Sequence, residues 1–511
     1  MTSRPRPPFR ESAVIVLIRG HGTELETFWV RRSDAVSYMP GLEAFIGGSV
    51  DGQDTELPLP GAADERERVF KACAIREAFE ETGVLVGLAD PVAVLGREEA
   101  QVLAAPRTDA AALAAARERL LAGAEFPALA AEHGWAFDAG ALEFAGRWQT
   151  PPFALTRFDT LFFLARVPPG QEPLVHPGEL ASGEWIRPAD ALTRYHQGRS
   201  MFAAPILHTL LALVQGEQDL AARLVLAPEI SGRPVRRIEM QWGVVLQPMV
   251  TKPLPPATHT NGYLVGEREM ALIDPGSGEP GEIEALFTLI DTLAGEGRKL
   301  RIVLLTHHHP DHTGGVDAVR ERYRVPVAAH AKTAEHLRID LALKDGDWIP
   351  LLPGAGDWNL RAIATPGHTR DHLCYLLPRT RSLFCGDHIP GGRGTVIIDP
   401  PDGDMIEYLR SLERLLQEPV EFLFPGHGGP QGAASRRIEG LIAHRLERER
   451  KVLQTLGPEP RTESDLVERA YDDTPKELWP YAARSLLAHL LKLEAEGKAA
   501  RAGERWARLG A

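Results

Sequence analysis

Leu300-Arg301-Ile302-Val303-Leu304-Leu305-Thr306-His307-His308-His309-Pro310-Asp311-His312 is the stretch on which the reading of this chain turns. Residues 300–305, rich in leucine and β-branched side chains, read as a buried strand, and the polar cluster sits where that strand would leave its sheet. Ligand sites of α/β sheets gather at that end. Gly314-Gly315 then allow a tight turn into an amphipathic helix over 316–323. The same form recurs three times downstream. Residues 360–365 lead into Pro366-Gly367-His368, 382–385 into Gly386-Asp387-His388, and 420–424 into Pro425-Gly426-His427. Each time an apolar run delivers a histidine or an aspartate through a glycine, which lets the backbone turn sharply.

Imidazoles and carboxylates converging from strand ends suit zinc or a similar borderline ion, and they outnumber the ligands that one ion uses. Two ions about 3.5–4 Å apart, with one carboxylate between them, would use the whole set. His307-x-His309-x-Asp311-His312 followed by His368, Asp387 and His427 resembles the metallo-β-lactamase fold hydrolases. That resemblance implies an αββα sandwich holding two Zn²⁺. It assigns His307, His309 and His368 to one site and Asp311, His312 and His427 to the other, with Asp387 bridging. It gives Asp311 a catalytic part besides metal binding, makes Asp274 a supporting aspartate, and leaves His308 out. Which bond is cut stays open among esters, thioesters and phosphodiesters. Residues 260–265, 365–372, 384–389 and 425–430 are similar to the β-lactamase-like endoribonucleases, which makes RNA a candidate partner beside a small-molecule substrate. The likeness runs through His444-Arg445 into a tail whose residues 485–498 and 501–508 resemble a winged helix. His372 recurs in that subgroup, as a residue behind the ligands, a substrate contact or a surface-loop histidine. Arg436, Arg437, Arg445, Arg448, Arg450 and Lys451, interleaved with Glu439, Glu447 and Glu449, read either as a solvated helix face laced with ion pairs or as a basic feature for nucleic acid, and the first reading is preferred.

A second constellation is Arg76-Glu77-Ala78-Phe79-Glu80-Glu81-Thr82-Gly83. At 3.6 residues per turn Glu77, Glu80 and Glu81 share one helix face, which reads either as a solvated acidic surface or as a site where a cation, Mg²⁺ or Mn²⁺, offsets the like charges. With the preceding Gly47-Gly48-Ser49-Val50-Asp51-Gly52-Gln53-Asp54, the segment resembles the Nudix hydrolase signature. Asp54 replaces the usual glutamate there, and an insertion near 55–67 separates loop from helix. The insertion, Cys73-Ala74-Ile75, residues 157–163 and Gly183-Glu184-Trp185 resemble the peroxisomal CoA diphosphatases. The resemblance implies an α/β/α sandwich, Glu77, Glu80 and Glu81 as metal ligands, Glu80 and Glu81 as catalytic carboxylates, Gly48 as a carbonyl ligand, and Arg76 orienting the glutamates. It points to a nucleotide- or CoA-type substrate with a diphosphate linkage. The alternative is a non-catalytic nucleotide or CoA sensor regulating the second half.

The expected organisation is α/β and multidomain: a Nudix domain at 10–215, a linker at 216–234, a metallo-β-lactamase domain at 235–450 and a winged-helix-like domain at 451–511. Residues 100–145 read as an inserted helical pair. The 511 residues are 44% hydrophobic and 25% charged, with a formal charge of −13, which argues against a protein built mainly to coat nucleic acid. Three cysteines, Cys73, Cys374 and Cys385, lie in apolar runs and cannot make a disulfide framework, so a reducing compartment is expected. Arg4, Arg6 and Arg10 precede an apolar run too short for a signal peptide, and no run is long enough to span a bilayer. The expected location is the cytoplasm.

Overall fold

Along the strand Phe9–Arg19, alternate side chains enter different cores: Ala13, Ile15 and Leu17 join one, Val16 and Ile18 the other. A strand apolar on both faces must be covered on both. The helices Glu65–Thr82, Ala110–Leu121 and Phe126–Glu132 cover the first face, and Pro188–His196, Ala204–Leu213 and Leu220–Val225 cover the second. Phe9–Arg19 pairs in parallel with Arg157–Arg166 and antiparallel with Glu26–Arg32 and Ile46–Ser49, inside a seven-stranded sheet. The result is the α/β/α sandwich expected of the first half.

The computed structural model describes residues 9–89, 108–151, 154, 156–226, 237–255, 257–351, 358–392 and 394–509. The chain divides into two compact units, Met1–Trp242 and Gly243–Ala511. Ala110–Leu121 and Phe126–Glu132 are the helical pair expected within 100–145; residues 100–107 lie outside the described residues, as do Arg4 and Arg6. In the stretch read as a linker, Leu220–Val225 is a helix that buries Leu220 and Leu224, and 227–234 lie outside the described residues.

In the second unit two sheets lie face to face. One runs in the order Leu341–Leu343, Val327–His330, Lys299–Leu304, Glu269–Ile273, His259–Val265, Val244–Val250. The other runs Trp348–Ile349, Leu360–Ala364, Leu373–Leu377, Ser382–Gly386, Phe422–Pro425. Tyr263 of the first meets Phe384 and Phe424 of the second at ring-centroid distances of 5.3 and 5.6 Å. The Tyr375 hydroxyl donates across the gap to the Leu305 carbonyl at 2.7 Å. Helices Pro280–Gly295 and Val316–Tyr323 cover the outer face of the first sheet, and Met405–Leu415 and Ala434–Thr455 that of the second. This is the αββα sandwich. Lys299–Leu304 lies parallel to Glu269–Ile273, and Ser382–Gly386 lies parallel to Phe422–Pro425. Parallel neighbours end on the same side, which sets Asp274 beside Thr306 and Asp387 beside Gly426.

The tail has its own core around the buried Trp506, with helices Glu463–Ala470 and Trp479–Ala495 and a three-stranded sheet of Arg461–Thr462, Arg505–Arg508 and Ala499–Ala502. This is the small winged-helix fold. The charged helix Ala434–Thr455 departs from its expected solvated face. Arg445 and Glu449 are buried, and Arg448 and Lys451 are tied to Asp472 and Asp473 of the tail. The helix packs on two sides, against the second sheet and against the tail, so part of its charged surface is enclosed. All three cysteines are buried and unpaired. Among the described residues no helix is long and apolar enough to cross a membrane.

Candidate metal centre

Asp274 follows the strand Glu269–Ile273 with φ 52°, a backbone conformation uncommon for any residue but glycine. Its carboxylate accepts the Thr306 amide at 2.8 Å and the Thr306 hydroxyl at 2.7 Å, and meets His312 Nδ1 at 2.9 Å. The aspartate thus fixes the loop that leaves Lys299–Leu304 and one histidine upon it. The other imidazoles are held in the same way from behind. His307 Nδ1 lies 3.0 Å from the Thr306 hydroxyl oxygen, His368 Nδ1 2.9 Å from the Ile397 carbonyl, and His427 Nδ1 2.8 Å from the His259 carbonyl. A ring that donates through Nδ1 presents a bare Nε2, so four imidazoles aim lone pairs inward.

Those lone pairs converge on two points. His307 Nε2 and His368 Nε2 lie 2.9 and 3.2 Å from His309 Nδ1. His312 Nε2 and His427 Nε2 lie 3.2 and 3.3 Å from Asp387 Oδ1, and His427 Nε2 lies 3.3 Å from Asp311 Oδ2. Asp387 also faces the first group, its Oδ2 3.8 Å from His368 Nε2. The atoms of His307, His309 and His368 are mutually within reach of one ion, as are those of Asp311, His312 and His427, and those of His307, His312 and Asp387. The structure therefore gathers every residue of the expected set, with Asp387 between the two groups.

The donor set fits cations. Buried acceptors facing one another repel unless something positive lies between them. His312 Nε2 and Asp387 Oδ1 are buried without a hydrogen-bond partner. Burial and the neighbouring imidazoles lower the pKa of His307 and bring that of His309 down to about 4, so the first group stands neutral, as ligands must. In the second group burial alone would lower the pKa of His427, but Asp387 and Asp311 push it up to about 10. There a proton can take the position of a cation.

His308 turns away, with Nδ1 3.0 Å from Asp371 and its ring stacked on His336 at 3.7 Å; its Nε2 lies 3.8 Å from Asp402. His308, His309 and Asp402 form a further group near enough for an ion. His372 is buried behind the centre, where its ring stacks on His307 at 5.2 Å and bonds the Thr365 hydroxyl at 2.8 Å. A surface-loop position is thereby excluded. Residues that the sequence did not single out hold the centre as well: Thr306, the Ile397 and His259 carbonyls, and Thr260, whose hydroxyl lies 3.4 Å from Asp311.

In the first unit, Asp64 caps the helix Glu65–Thr82 through the Glu67 amide at 2.8 Å, and Gly83 ends it with φ 76°. Arg76 is buried on it. Its guanidinium takes both oxygens of Asp54, at 2.7 and 3.1 Å, and reaches Glu77 at 2.8 Å and Glu80 at 3.2 Å. Asp54, at the position that departs from the family pattern, is thus the anchor of this arginine. Glu81 accepts the Gly47 amide at 3.1 Å. Gly48 lies so close to Glu77 that a Cβ would fall 2.2 Å from its Oε1. Burial, with Glu80 alongside, raises the pKa of Glu77 to about 7 against the pull of Arg76, and burial raises that of Glu81. Among the described residues, every group of His, Cys, Asp and Glu near enough for one ion lies in the second unit. Glu77, Glu80 and Glu81 share a face but not a single point, because Arg76 draws two of them and the Gly47 amide the third.

Residues 255–427 match the metallo-β-lactamase superfamily, 462–506 the β-lactamase-associated winged helix domain, and 56–213 the NUDT19 Nudix domain. Families of both hydrolase types use divalent metals. A Drosophila melanogaster β-lactamase-like protein 2 homolog is 35% identical over 256 residues, covering 47% of this chain and 83% of that protein. A Caenorhabditis elegans β-lactamase-like protein 2 homolog is 30% identical over 222 residues, covering 42% of this chain and 72% of that protein. An atrochrysone carboxyl ACP thioesterase of Aspergillus fumigatus is 34% identical over 212 residues, covering 40% of this chain and 63% of that protein. The chain belongs to the metallo-β-lactamase superfamily, as a hydrolase that carries a Nudix domain ahead of that fold and a β-lactamase-associated winged helix behind it.

Proposed function

We propose that the second unit hydrolyses an acyl thioester with two Zn²⁺, one on His307, His309 and His368, one on Asp311, His312 and His427, with Asp387 shared. The observation that carries this reading is the inward aim of four imidazoles, each bonded outward through Nδ1. Bound there, the ions would polarise the substrate carbonyl and lower the pKa of an attacking water. Asp311 is the more exposed of the two inward carboxylates, at 21% against 15% for Asp387, and would orient that water besides binding metal. Asp274 and Thr306 keep the His307 loop rigid, so the ligands need not reorganise.

The thioester is preferred over RNA on two grounds. A relative at 34% identity is named a thioesterase. Most of the basic cluster is engaged within the chain: Arg448 and Lys451 pair with Asp472 and Asp473, Arg450 with Glu447, Arg437 donates to the Pro390 and Gly394 carbonyls, and Arg445 is buried, which leaves Arg436 exposed. For the first unit we propose cleavage of a CoA-type diphosphate with Mg²⁺ or Mn²⁺ on Glu77, Glu80 and Glu81, Gly48 adding a carbonyl. Acyl-CoA would then offer a bond to each half. A sensor reading of this unit is favoured by one observation: Arg76 already pairs with Asp54, Glu77 and Glu80, in place of a cation. The domain limits proposed are 10–215, 235–450 and 451–511, and of the intervening 216–234 the helix Leu220–Val225 packs into the first unit's core.

Metal analysis of the purified protein should find two Zn²⁺ per chain, and acyl-CoA should lose its thioester but single-stranded RNA should persist. Asp387→Ala should abolish thioester hydrolysis while the diphosphate reaction persists, and Glu80→Gln with Glu81→Gln should do the converse. RNA cleavage that depends on Asp387 would replace the thioester reading. CoA binding without turnover in the wild-type first unit would establish the sensor.

A further inference from the structure

Arg445 lies in the helix Ala434–Thr455, is 3% exposed, and touches no ligand of the metal centre. Enclosing a guanidinium is expensive unless its donors are used. One of them is: Nη2 donates to the Val396 carbonyl. Val396 precedes Ile397, whose carbonyl meets His368 Nδ1 at 2.9 Å. The same guanidinium lies over the Tyr408 ring, 5.3 Å from its centroid. Tyr408 is fully buried, and its hydroxyl donates at 2.9 Å to the carbonyl of His388, the residue after Asp387. The Tyr408 backbone also abuts Gly367, the residue before His368, so tightly that a Cβ on the glycine would fall 2.3 Å from Tyr408 Cα. One arginine is therefore packed behind two chain segments that deliver His368 of the first group and the shared Asp387.

We propose that Arg445 is a positioning residue for the metal centre, which through Val396 and Tyr408 sets where His368 and Asp387 stand relative to each other. The inference rests on the reading of these two residues as metal ligands. Partners that orient metal ligands typically affect affinity by roughly 10–100-fold, and Arg445 acts one bond further out, so the lower end is expected. Arg445→Lys keeps the charge but cannot both lie flat on Tyr408 and reach Val396. Tyr408→Phe keeps the ring and removes only the bond to His388. Arg436→Ala, at an exposed position of the same helix, is the control.

The test is Co²⁺ binding by the full chain, read as affinity in chelator competition and as the visible ligand-field spectrum, with circular dichroism and a thermal midpoint beside it. Arg445→Lys and Tyr408→Phe should each bind Co²⁺ about tenfold more weakly, with a shifted spectrum. Arg436→Ala should match wild type. Wild-type affinity and spectrum in both variants would overturn the proposal, as would a lowered midpoint with an unchanged spectrum, which marks a merely structural role. If Arg445→Lys does not fold, Tyr408→Phe decides. A wild-type chain that binds no Co²⁺ would overturn the metal reading itself, whereas a loaded wild type with indifferent variants overturns the positioning role alone.

Discussion

Gly426 is where the second group of ligands is most sensitive to a single atom. A Cβ there would lie 2.6 Å from His312 Cε1 and 2.7 Å from Asp387 Oδ1, and neither group can retreat easily. His312 is pinned by Asp274 at 2.9 Å, and Asp387 is hemmed between His312 and His427. Gly426→Ala should therefore displace ligand atoms without removing any. The expected result is a loss of metal affinity at the second group of roughly 10–100-fold, with the first group still loaded. Metal content after dialysis against a graded chelator series would show one ion leaving early. Two ions retained as in wild type would mean the ligands have more room than these distances allow.

At the scale of the element, the helix Glu65–Thr82 stores charge against its own stability. The pKa of Glu77 stands at about 7 in the fold, above its ordinary 4.5. Its protonated form is thus the one the fold prefers. The stability that Glu77 contributes is complete below about 4.5 and is lost as pH rises through 7, and Glu81 acts in the same direction. A divalent cation reverses this by favouring the ionised carboxylates. Saturating Mg²⁺ should then raise the first unit's thermal midpoint clearly at pH 8 and little at pH 5, by scanning calorimetry, and Glu77→Gln should flatten both dependences. An equal Mg²⁺ effect at the two pH values would place the ion elsewhere.

Over the whole molecule, what could be read in advance divides by chemistry. The convergence of His307, His309, Asp311, His312, His368, Asp387 and His427 was legible because each follows an apolar run at a strand end; parallel pairing sets Asp387 beside the His427 loop, and two successive antiparallel pairings return His368 to the same side. The apolar run at 13–18 could be told from a signal peptide by its length, but its burial on both faces, Ala13, Ile15 and Leu17 in one core and Val16 and Ile18 in the other, belongs to the fold. The Ile397 and His259 carbonyls were not legible, since every residue has one and only the fold selects which is used. Arg445 was misread because alternating charge looks the same on a free helix and on one enclosed from two sides. His372 was undecidable for a related reason: it stands just before the buried strand Leu373–Leu377, at the border between loop and core. The complete burial of the three thiols carries a consequence of a different kind. Cys73 belongs to one unit and Cys374 and Cys385 to the other, so an alkylating reagent meets none of them until a unit opens. Their rates of modification, resolved by peptide mass, are native clocks for the breathing of each half, and need no engineered label.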